Sequence, residues 1–317
     1  MILPLCACFG VVVSHGSMPV THALFCVSAS WSGFTMNWYA VGSGRPAWIT
    51  AYDVLPRLSA ALLSAIAILL TGKVWIYPLA LLILLSTTLT RFHRRQFGSW
   101  LPAEIHTLST LTPSERVRGA ALSLVGAAYS SAPLPVAQAL SLAGSPALAS
   151  TDRLYRYALY TVSSLANALQ EWVLSSKTAK SRLSGHIVAL RLHVALGLVG
   201  AGGIASLGPT VGRLMFGNDV APSHTICGGY AVAFFFVSVS TPLTRNVLVV
   251  ANRTDVVLRS AAVSGLIAVV LMATTGRALG APGISWSLAC GDFLFFLLMA
   301  PIARRLMKEE ATHGFDE

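Results

Sequence analysis

Residues 281–302, APGISWSLACGDFLFFLLMAPI, decide the fold class of this chain. An α-helix rises 1.5 Å per residue, so a run of this length covers the hydrocarbon core of a bilayer, which is about 30 Å thick. Asp292 is the only Asp, Glu, Lys or Arg in the run. The stretch therefore predicts a membrane-spanning helix.

The composition of the whole chain extends this prediction. Hydrophobic residues make up 55% and charged residues 11% of the 317, whereas soluble domains carry about 25% charged residues. The net charge of +10 comes from short basic clusters between apolar runs, which is not the pattern of a nucleic-acid-binding surface. The sequence predicts an all-α integral membrane protein that binds no nucleic acid.

Ten apolar stretches are candidates for membrane spans. They are residues 2–14, 20–42, 55–71, 74–90, 119–143, 154–174, 187–212, 224–250, 256–275 and 281–302. The longest polar connection separates four spans from six. We therefore divide the chain into a four-span lobe, a cytoplasmic connecting loop, a six-helix lobe and a cytoplasmic tail, at residues 1–90, 91–118, 119–303 and 304–317.

The basic residues predict the orientation of these spans. When each Lys and Arg is assigned to the nearer helix end, 17 of the 22 fall on one side. Cytoplasmic loops carry the excess of Lys and Arg. We therefore expect an even number of spans, with both termini in the cytoplasm.

Common catalytic motifs are absent from the sequence. It contains no Asp-x-Asp pair, GxxxxGK[ST] loop, HExxH or GxSxG. His186 and His193 are seven residues apart with no carboxylate nearby, and the five cysteines lack metal-ligand spacing. We expect neither an enzyme nor a cofactor or metal.

Asp292 is the acid placed deepest in a predicted span. Ionisable residues inside a membrane are costly and usually functional. The functional interpretation is an ion-coupling site for a cation or proton. The alternative is a helix-packing role, with the carboxyl satisfied by a neighbouring hydroxyl or amide.

One face of the sixth predicted span carries two cations and two phenols at spacings of three and four residues. They are Arg153, Arg156, Tyr157 and Tyr160. Guanidinium groups match phosphate oxygens, and phenols stack on sugar rings. This face could bind a pyrophosphate or a sugar, or its side chains could be interfacial anchors.

Two further polar residues lie on the fifth and sixth predicted spans. Asn167 is on the sixth span, and Gln138 follows Pro133 and Pro135 in the fifth. Adjacent helices that are polar and interrupted by proline are typical of a lined cavity.

Four segments carry a family resemblance. They are NWYAVGSGRP at 37–46 with DVLPR at 53–57, DRLYRYA at 152–158, RNVLVVANRTD at 245–255 and GAPGISW at 280–286. They resemble segments of Wzx-type polysaccharide flippases in the multidrug/oligosaccharidyl-lipid/polysaccharide exporter superfamily. The resemblance implies a twelve-helix fold of two six-helix lobes around a cavity that opens alternately to each side.

The resemblance also implies a function. The chain would flip a polyprenyl-pyrophosphate-linked oligosaccharide across the inner (cytoplasmic) membrane for surface polysaccharide synthesis, with polysaccharide polymerase and glycosyltransferase partners. Substrate would contact Arg153, Arg156, Tyr157, Tyr160, Gln138 and Asn167, and Asp292 would couple transport to an ion. The registration implies that the first two helices are missing, so we expect this form to be poorly stable and inactive.

Two other functions stay open at the level of sequence. A drug or cation antiporter of the same superfamily should prefer acids over arginines in its cavity. A membrane-embedded glycosyltransferase or ligase using a lipid-linked sugar would usually carry a large outer loop, whereas the outer connections here are short.

Overall fold

The computed structural model describes residues 2–14, 18–43, 45, 47–98, 121, 124–174 and 179–313. These residues form helices and turns and contain no strand, which confirms the all-α class for the described part of the chain. The chain divides into two compact units, Met1–Thr110 and Leu111–Glu317. Each unit has its own buried apolar cluster.

The first unit contains five α-helices within its described residues. They are α1 (Ile2–Val13), α2 (Pro19–Trp31), α3 (Asn37–Gly42), α4 (Ala47–Thr71) and α5 (Ile76–Phe97). Helix α1 packs on α2, and α4 packs on α5. Ala60 from α4 and Leu81 and Leu85 from α5 form the buried cluster of this unit.

The predicted span at 20–42 is interrupted in the structure. Helix α2 ends at Trp31, a 3₁₀ turn follows over Ser32–Phe34, and a new helix begins only at Asn37. The break falls on a Ser-Gly pair, and both residues favour turns over helix interiors. The span was predicted from the apolar residues on either side of the polar run from Ser28 to Asn37, which was not interpreted as a helix break.

The ends of α4 and α5 are fixed by glycines. Gly72 and Gly98 adopt φ of 68° and 70°, and their N–H groups donate to Ile68 O and Arg94 O. Such left-handed residues are common helix caps because glycine has no Cβ to clash. Helix α5 therefore continues through residues 91–97, which the sequence analysis assigned to the connecting loop.

Within its described residues, the second unit contains a helix at 124–131, which we label α6, and six further α-helices. These are α7 (Pro133–Ala139), α8 (Ser145–Leu174), α9 (Ala179–Phe216), α10 (His224–Leu248), α11 (Thr254–Leu279) and α12 (Ala281–His313). Helix α8 begins nine residues before the predicted span at 154, with Pro146 in its first turn, where proline is favoured.

Helix α10 is the centre of the second unit. It packs against α8, α9 and α12. In its most apolar stretch 67% of the residues are buried, whereas no other candidate span has more than 39% buried in the corresponding stretch. Tyr230 and Phe234 of α10 are almost fully buried, together with Met272 of α11 and Ile284 of α12. The other helices of the second unit therefore surround α10, which is a largely apolar helix.

Six of the described helices are long and apolar enough to cross a membrane. They are α4, α5, the Leu183–Phe216 part of α9, α10, α11 and the Ala281–Glu309 part of α12. Helices α1 and α2 have 12 and 13 residues, and α8 carries Asp152, Arg153 and Arg156 within its 30 residues. Length and polarity therefore separate these three helices from the six.

Candidate functional site

A cavity of about 440 Å³ lies inside the second unit. Helices α6, α8, α10, α11 and α12 supply its walls. Among its lining residues are one acid, Asp292, and one guanidinium, Arg245. Hydroxyl groups also line it, from Ser130, Ser163, Ser240, Thr241, Thr244 and Ser264.

Asp292 lies in the first half of α12 and is only 6% exposed. Its Oδ1 accepts a hydrogen bond of 3.1 Å from the hydroxyl of Tyr129 on α6. Its Oδ2 is buried and has no hydrogen-bond partner among the described residues. A buried carboxylate without a compensating group is costly, so this oxygen is suited to receive a proton or a cation.

The approach of Tyr129 to α12 depends on Gly291. A Cβ at position 291 would lie 2.5 Å from the Tyr129 hydroxyl oxygen and 2.6 Å from the Cβ of Ala268. The same hydroxyl lies 2.9 Å from the carbonyl oxygen of Leu288. The glycine therefore makes room for the one side chain that donates to Asp292 in the described structure.

Arg245 enters the cavity from an irregular part of α10. Residues Leu243–Leu248 form a π-helical segment directly after Pro242. Proline supplies no N–H to the helix, and π-helical turns are frequent at functional sites. One guanidinium N–H of Arg245 donates to Oδ1 of Asn167 on α8 at 2.8 Å.

The remaining donors of Arg245 are available to a ligand. A guanidinium has five N–H donors, and the bond to Asn167 is the only one given to Arg245 by the described residues. No acid of the described structure forms an ion pair with it. Among the described residues, no neighbouring acid neutralises the charge of Arg245 in the cavity.

The predicted substrate residues divide into two groups. Asn167 binds Arg245, and Arg156 donates to the carbonyl oxygen of the cavity residue Ser130 at 2.9 Å. Neither Asn167 nor Arg156 lines the cavity itself, and the other group does not line it either and is exposed. It comprises Arg153, Tyr157, Tyr160 and Gln138.

Arg156 is held within the protein. Its Nε donates to Oδ2 of Asp152 at 2.5 Å, and the hydroxyl of Tyr230 lies 3.4 Å from Oδ1 of the same acid. Asp152 is 3% exposed. The Arg156 side chain is 38% exposed, so the pair is only half-buried, and its contacts to Ser130 and Tyr230 link α8 to α6 and α10.

The sequence analysis missed two residues of this site. Arg245 was counted as a cytoplasmic cation at a helix end, although it lies inside the predicted span at 224–250. A charge within an apolar run was the available signal. Tyr129 could not be identified from the sequence, because nothing connects it with an acid 163 positions away.

Comparison with protein-family models, curated proteins and solved structures gives no match for this chain. Its class therefore comes from its own residues. The helices and their apolar length define an all-α membrane protein.

Proposed function

We propose that this protein is a membrane transporter that binds the phosphate-bearing head of a lipid-linked oligosaccharide in the cavity of its second unit. The observation that carries the proposal is the presence of Arg245 and Asp292 in one cavity among apolar helices. A cavity that holds charges of both signs within such helices is suited to a polar solute that must cross a bilayer.

Arg245 is proposed as the substrate contact. Its unused guanidinium donors match the oxygens of a phosphate or pyrophosphate, and the planar group makes two parallel hydrogen bonds to such an anion. Asn167 holds one guanidinium nitrogen at 2.8 Å, which orients the remaining donors. The surrounding hydroxyls supply additional donors for a sugar.

Asp292 is proposed as the coupling residue. Its unpaired Oδ2 would take up a proton or a cation on one side of the membrane and release it on the other. Alternating access requires the cavity to face each side in turn, and a change in the charge of a buried group is one way to bias two such states.

We propose the architecture that was expected from the sequence. It comprises ten spans in bundles of four and six, with both termini in the cytoplasm and the chain in the inner membrane. The exposed α8 residues Arg153, Tyr157 and Tyr160 and Gln138 of α7 would contact the substrate outside the cavity. Polymerase and glycosyltransferase partners would use and supply the substrate.

The test replaces Arg245 by Gln or Lys in cells whose surface glycan depends on this protein. Loss of a charge-assisted hydrogen bond costs about 1.5–3 kcal/mol, which is about a tenfold or larger fall in affinity. We therefore expect Arg245→Gln to reduce surface glycan about tenfold or more at an unchanged membrane level. Arg245→Lys should restore part of it, because a point charge lacks the planar fork.

Arg259 provides the matched control. It is an exposed arginine on α11 and does not line the cavity. Arg259→Gln should leave surface glycan unchanged. Wild-type glycan levels with Arg245→Gln would contradict the assignment of the substrate head to this cavity.

A second candidate function is a drug or cation antiporter, which the buried Asp292 favours. In that case a cationic substrate would bind the acid itself, and Asp292→Asn should abolish efflux while Arg245→Gln increases or preserves it. For the glycolipid transporter we expect both variants to lose transport. Efflux of a fluorescent organic cation from loaded vesicles separates the two.

A further inference from the structure

The hydroxyl of Tyr129 lies between two acceptor atoms of α12. Its oxygen is 2.9 Å from the carbonyl oxygen of Leu288 and 3.1 Å from Oδ1 of Asp292. A phenol has one proton to donate, so it donates fully to only one of these oxygens at a time. If Asp292 is ionised, one of the two short contacts therefore brings two oxygens together without a proton of their own.

A protonated Asp292 removes this conflict. A proton on Oδ1 is donated to the Tyr129 oxygen, and the proton of Tyr129 is then donated to the Leu288 carbonyl. Both contacts become complete hydrogen bonds, which run from the acid through the phenol to the helix backbone. A proton on Oδ2 does not have this effect, because Oδ2 is buried and has no hydrogen-bond partner among the described residues.

No cation of the described structure compensates an ionised Asp292. The acid forms no ion pair with a described residue. Arg245 lines the same cavity, which we call the inner cavity, but it lies nine residues beyond Phe236, which packs against Phe293 beside the acid. That separation is about 13 Å along α10. A buried carboxylate without compensation is costly and usually binds a proton instead.

The other ionisable groups near Asp292 are phenols and a thiol, apart from Arg245. Tyr155 of α8 lines the inner cavity, and Cys290 lies two positions before the acid on α12 and is exposed. Helix α11 contributes no ionisable residue to the described lining, and α7 and α9 contribute no residue to it. Phenols and thiols are weaker acids than a carboxylic acid, so Asp292 is the first of these groups to release a proton.

We infer that the coupling ion of the proposed transporter is a proton, and that Tyr129 responds to it by reversing its hydrogen bond to Asp292. The inference rests on the proposed function for the use of the proton in transport, whereas the proton itself is assigned from the contacts of Tyr129. In the protonated state Tyr129 accepts from Oδ1 and donates to Leu288. In the ionised state, after the proton has passed to water, Tyr129 donates to Oδ1 and its bond to Leu288 is lost.

The proton therefore changes how α6 is held on the wall of the inner cavity. Tyr129 makes two hydrogen bonds to α12 in the protonated state and one in the ionised state. The next residue of α6, Ser130, accepts a hydrogen bond of 2.9 Å from Arg156 of α8, and this contact does not involve Asp292. Release of the proton loosens α6 from α12 while leaving it attached to α8.

The test is infrared spectroscopy of the full chain in detergent. A protonated carboxylic acid gives a carbonyl stretching band that a carboxylate lacks, and an exposed aspartic acid is ionised at about pH 7 because it loses its proton at about pH 4. We expect a carboxylic acid band from the wild type at about pH 7 that is absent from Asp292→Asn. Tyr129→Phe should shift the frequency of this band, because the acid loses its hydrogen-bond partner. Tyr157→Phe, which removes an exposed phenol, should not.

The pH dependence of unfolding gives a second measurement, which needs no substitution of Tyr129. The folded protein holds the proton on Asp292, whereas the unfolded chain releases it above about pH 4, so the stability from this contact is lost as the pH rises. Asp292→Asn cannot ionise, and its amide N–H can donate to Tyr129 as the protonated acid does. We therefore expect the apparent melting temperature of the wild type to fall relative to that of Asp292→Asn as the pH is raised.

Three outcomes would overturn the inference. They are the absence at about pH 7 of an acid band that Asp292→Asn removes, a band that Tyr129→Phe leaves unchanged, and wild-type and Asp292→Asn melting temperatures that vary with pH in parallel. Loss of the band on addition of sodium chloride at constant pH would also contradict it, because a cation would then replace the proton. None of these measurements uses a glycolipid. Wild-type glycan levels with Arg245→Gln would therefore reject the proposed substrate and leave the proton on Asp292 in place.

Discussion

At the scale of single residues, the most informative contact joins Tyr129 to Asp292. The acid could be predicted from the sequence because one carboxyl interrupts a long apolar run. Its partner could not, since the two residues are 163 positions apart and are brought together only by the packing of α6 on α12. The fit of the phenol against Gly291 likewise depends on a tertiary contact that helix periodicity does not encode.

Removal of the Tyr129 hydroxyl should destabilise the protein. Tyr129→Phe leaves Oδ1 of Asp292 buried without its donor, and a lost buried hydrogen bond of this kind costs about 1–3 kcal/mol. We expect a lower apparent melting temperature in detergent. The control is Tyr157→Phe, because Tyr157 is 49% exposed and its hydroxyl makes no hydrogen bond to any described residue.

The two variants give a direct comparison, since each removes one phenolic oxygen and nothing else. Equal melting temperatures for Tyr129→Phe and Tyr157→Phe would mean that the contact to Asp292 contributes nothing to stability. A double variant with Asp292→Asn should show a coupling between the two positions, because residues in direct contact are not additive.

At the scale of elements, the sequence predicted the long apolar helices better than their ends and interruptions. The apolar runs that became α4, α5 and α9 to α12 were all recognised, since each is long enough to be distinguished by hydropathy alone. The break at Ser32–Phe34 and the π-helical segment after Pro242 were not. Both depend on local hydrogen bonding, which composition does not report.

The packing of α10 on α12 depends on Gly229. A Cβ at this position would lie 2.6 Å from both the carbonyl carbon and the Oγ of Ser285. Because backbone atoms cannot move aside cheaply, Gly229→Ala should destabilise the second unit by about 1–3 kcal/mol. The measurement is the free energy of unfolding in mixed micelles.

Gly202 of α9 supplies the matched control for this substitution. No heavy atom lies within 4 Å of a Cβ built there, so Gly202→Ala should be neutral or stabilising by up to about 1 kcal/mol through helix propensity. A loss of stability with Gly202→Ala equal to that with Gly229→Ala would show that the effect is not a clash with Ser285.

At the scale of the whole molecule, the all-α membrane class follows from composition and hydropathy. The ten-span topology remains a prediction. A reporter fused after Glu317 and another inserted within residues 99–118 should both report the cytoplasmic side, because 17 of the 22 basic residues fall on that side of the predicted spans. A signal from the opposite side at either position would refute the orientation.

The candidate site was only partly predictable at this scale. Asp292 and Asn167 were identified as candidate residues, and the structure places Asp292 in the inner cavity and Asn167 against its arginine. The α8 face was identified as one set of contacts. The i,i+4 spacing of Asp152 and Arg156 predicts the ion pair that the structure shows, whereas the exposure of Tyr157 and Tyr160 could not be predicted. Helix periodicity shows which side chains share a face, but it does not show which other helix packs against that face.

The central position of α10 also affects how the chain is made. A ribosome completes α10 before α11 and α12, yet α12 provides the surface against which Gly229 and Phe236 pack. Newly made α10 must therefore remain in the membrane with the face that carries Gly229 and Phe236 uncovered until α12 is inserted. During every round of synthesis the second unit is therefore exposed to protein quality control in a half-assembled form. If translation stopped before residue 281, α12 would be missing and the face of α10 would stay uncovered.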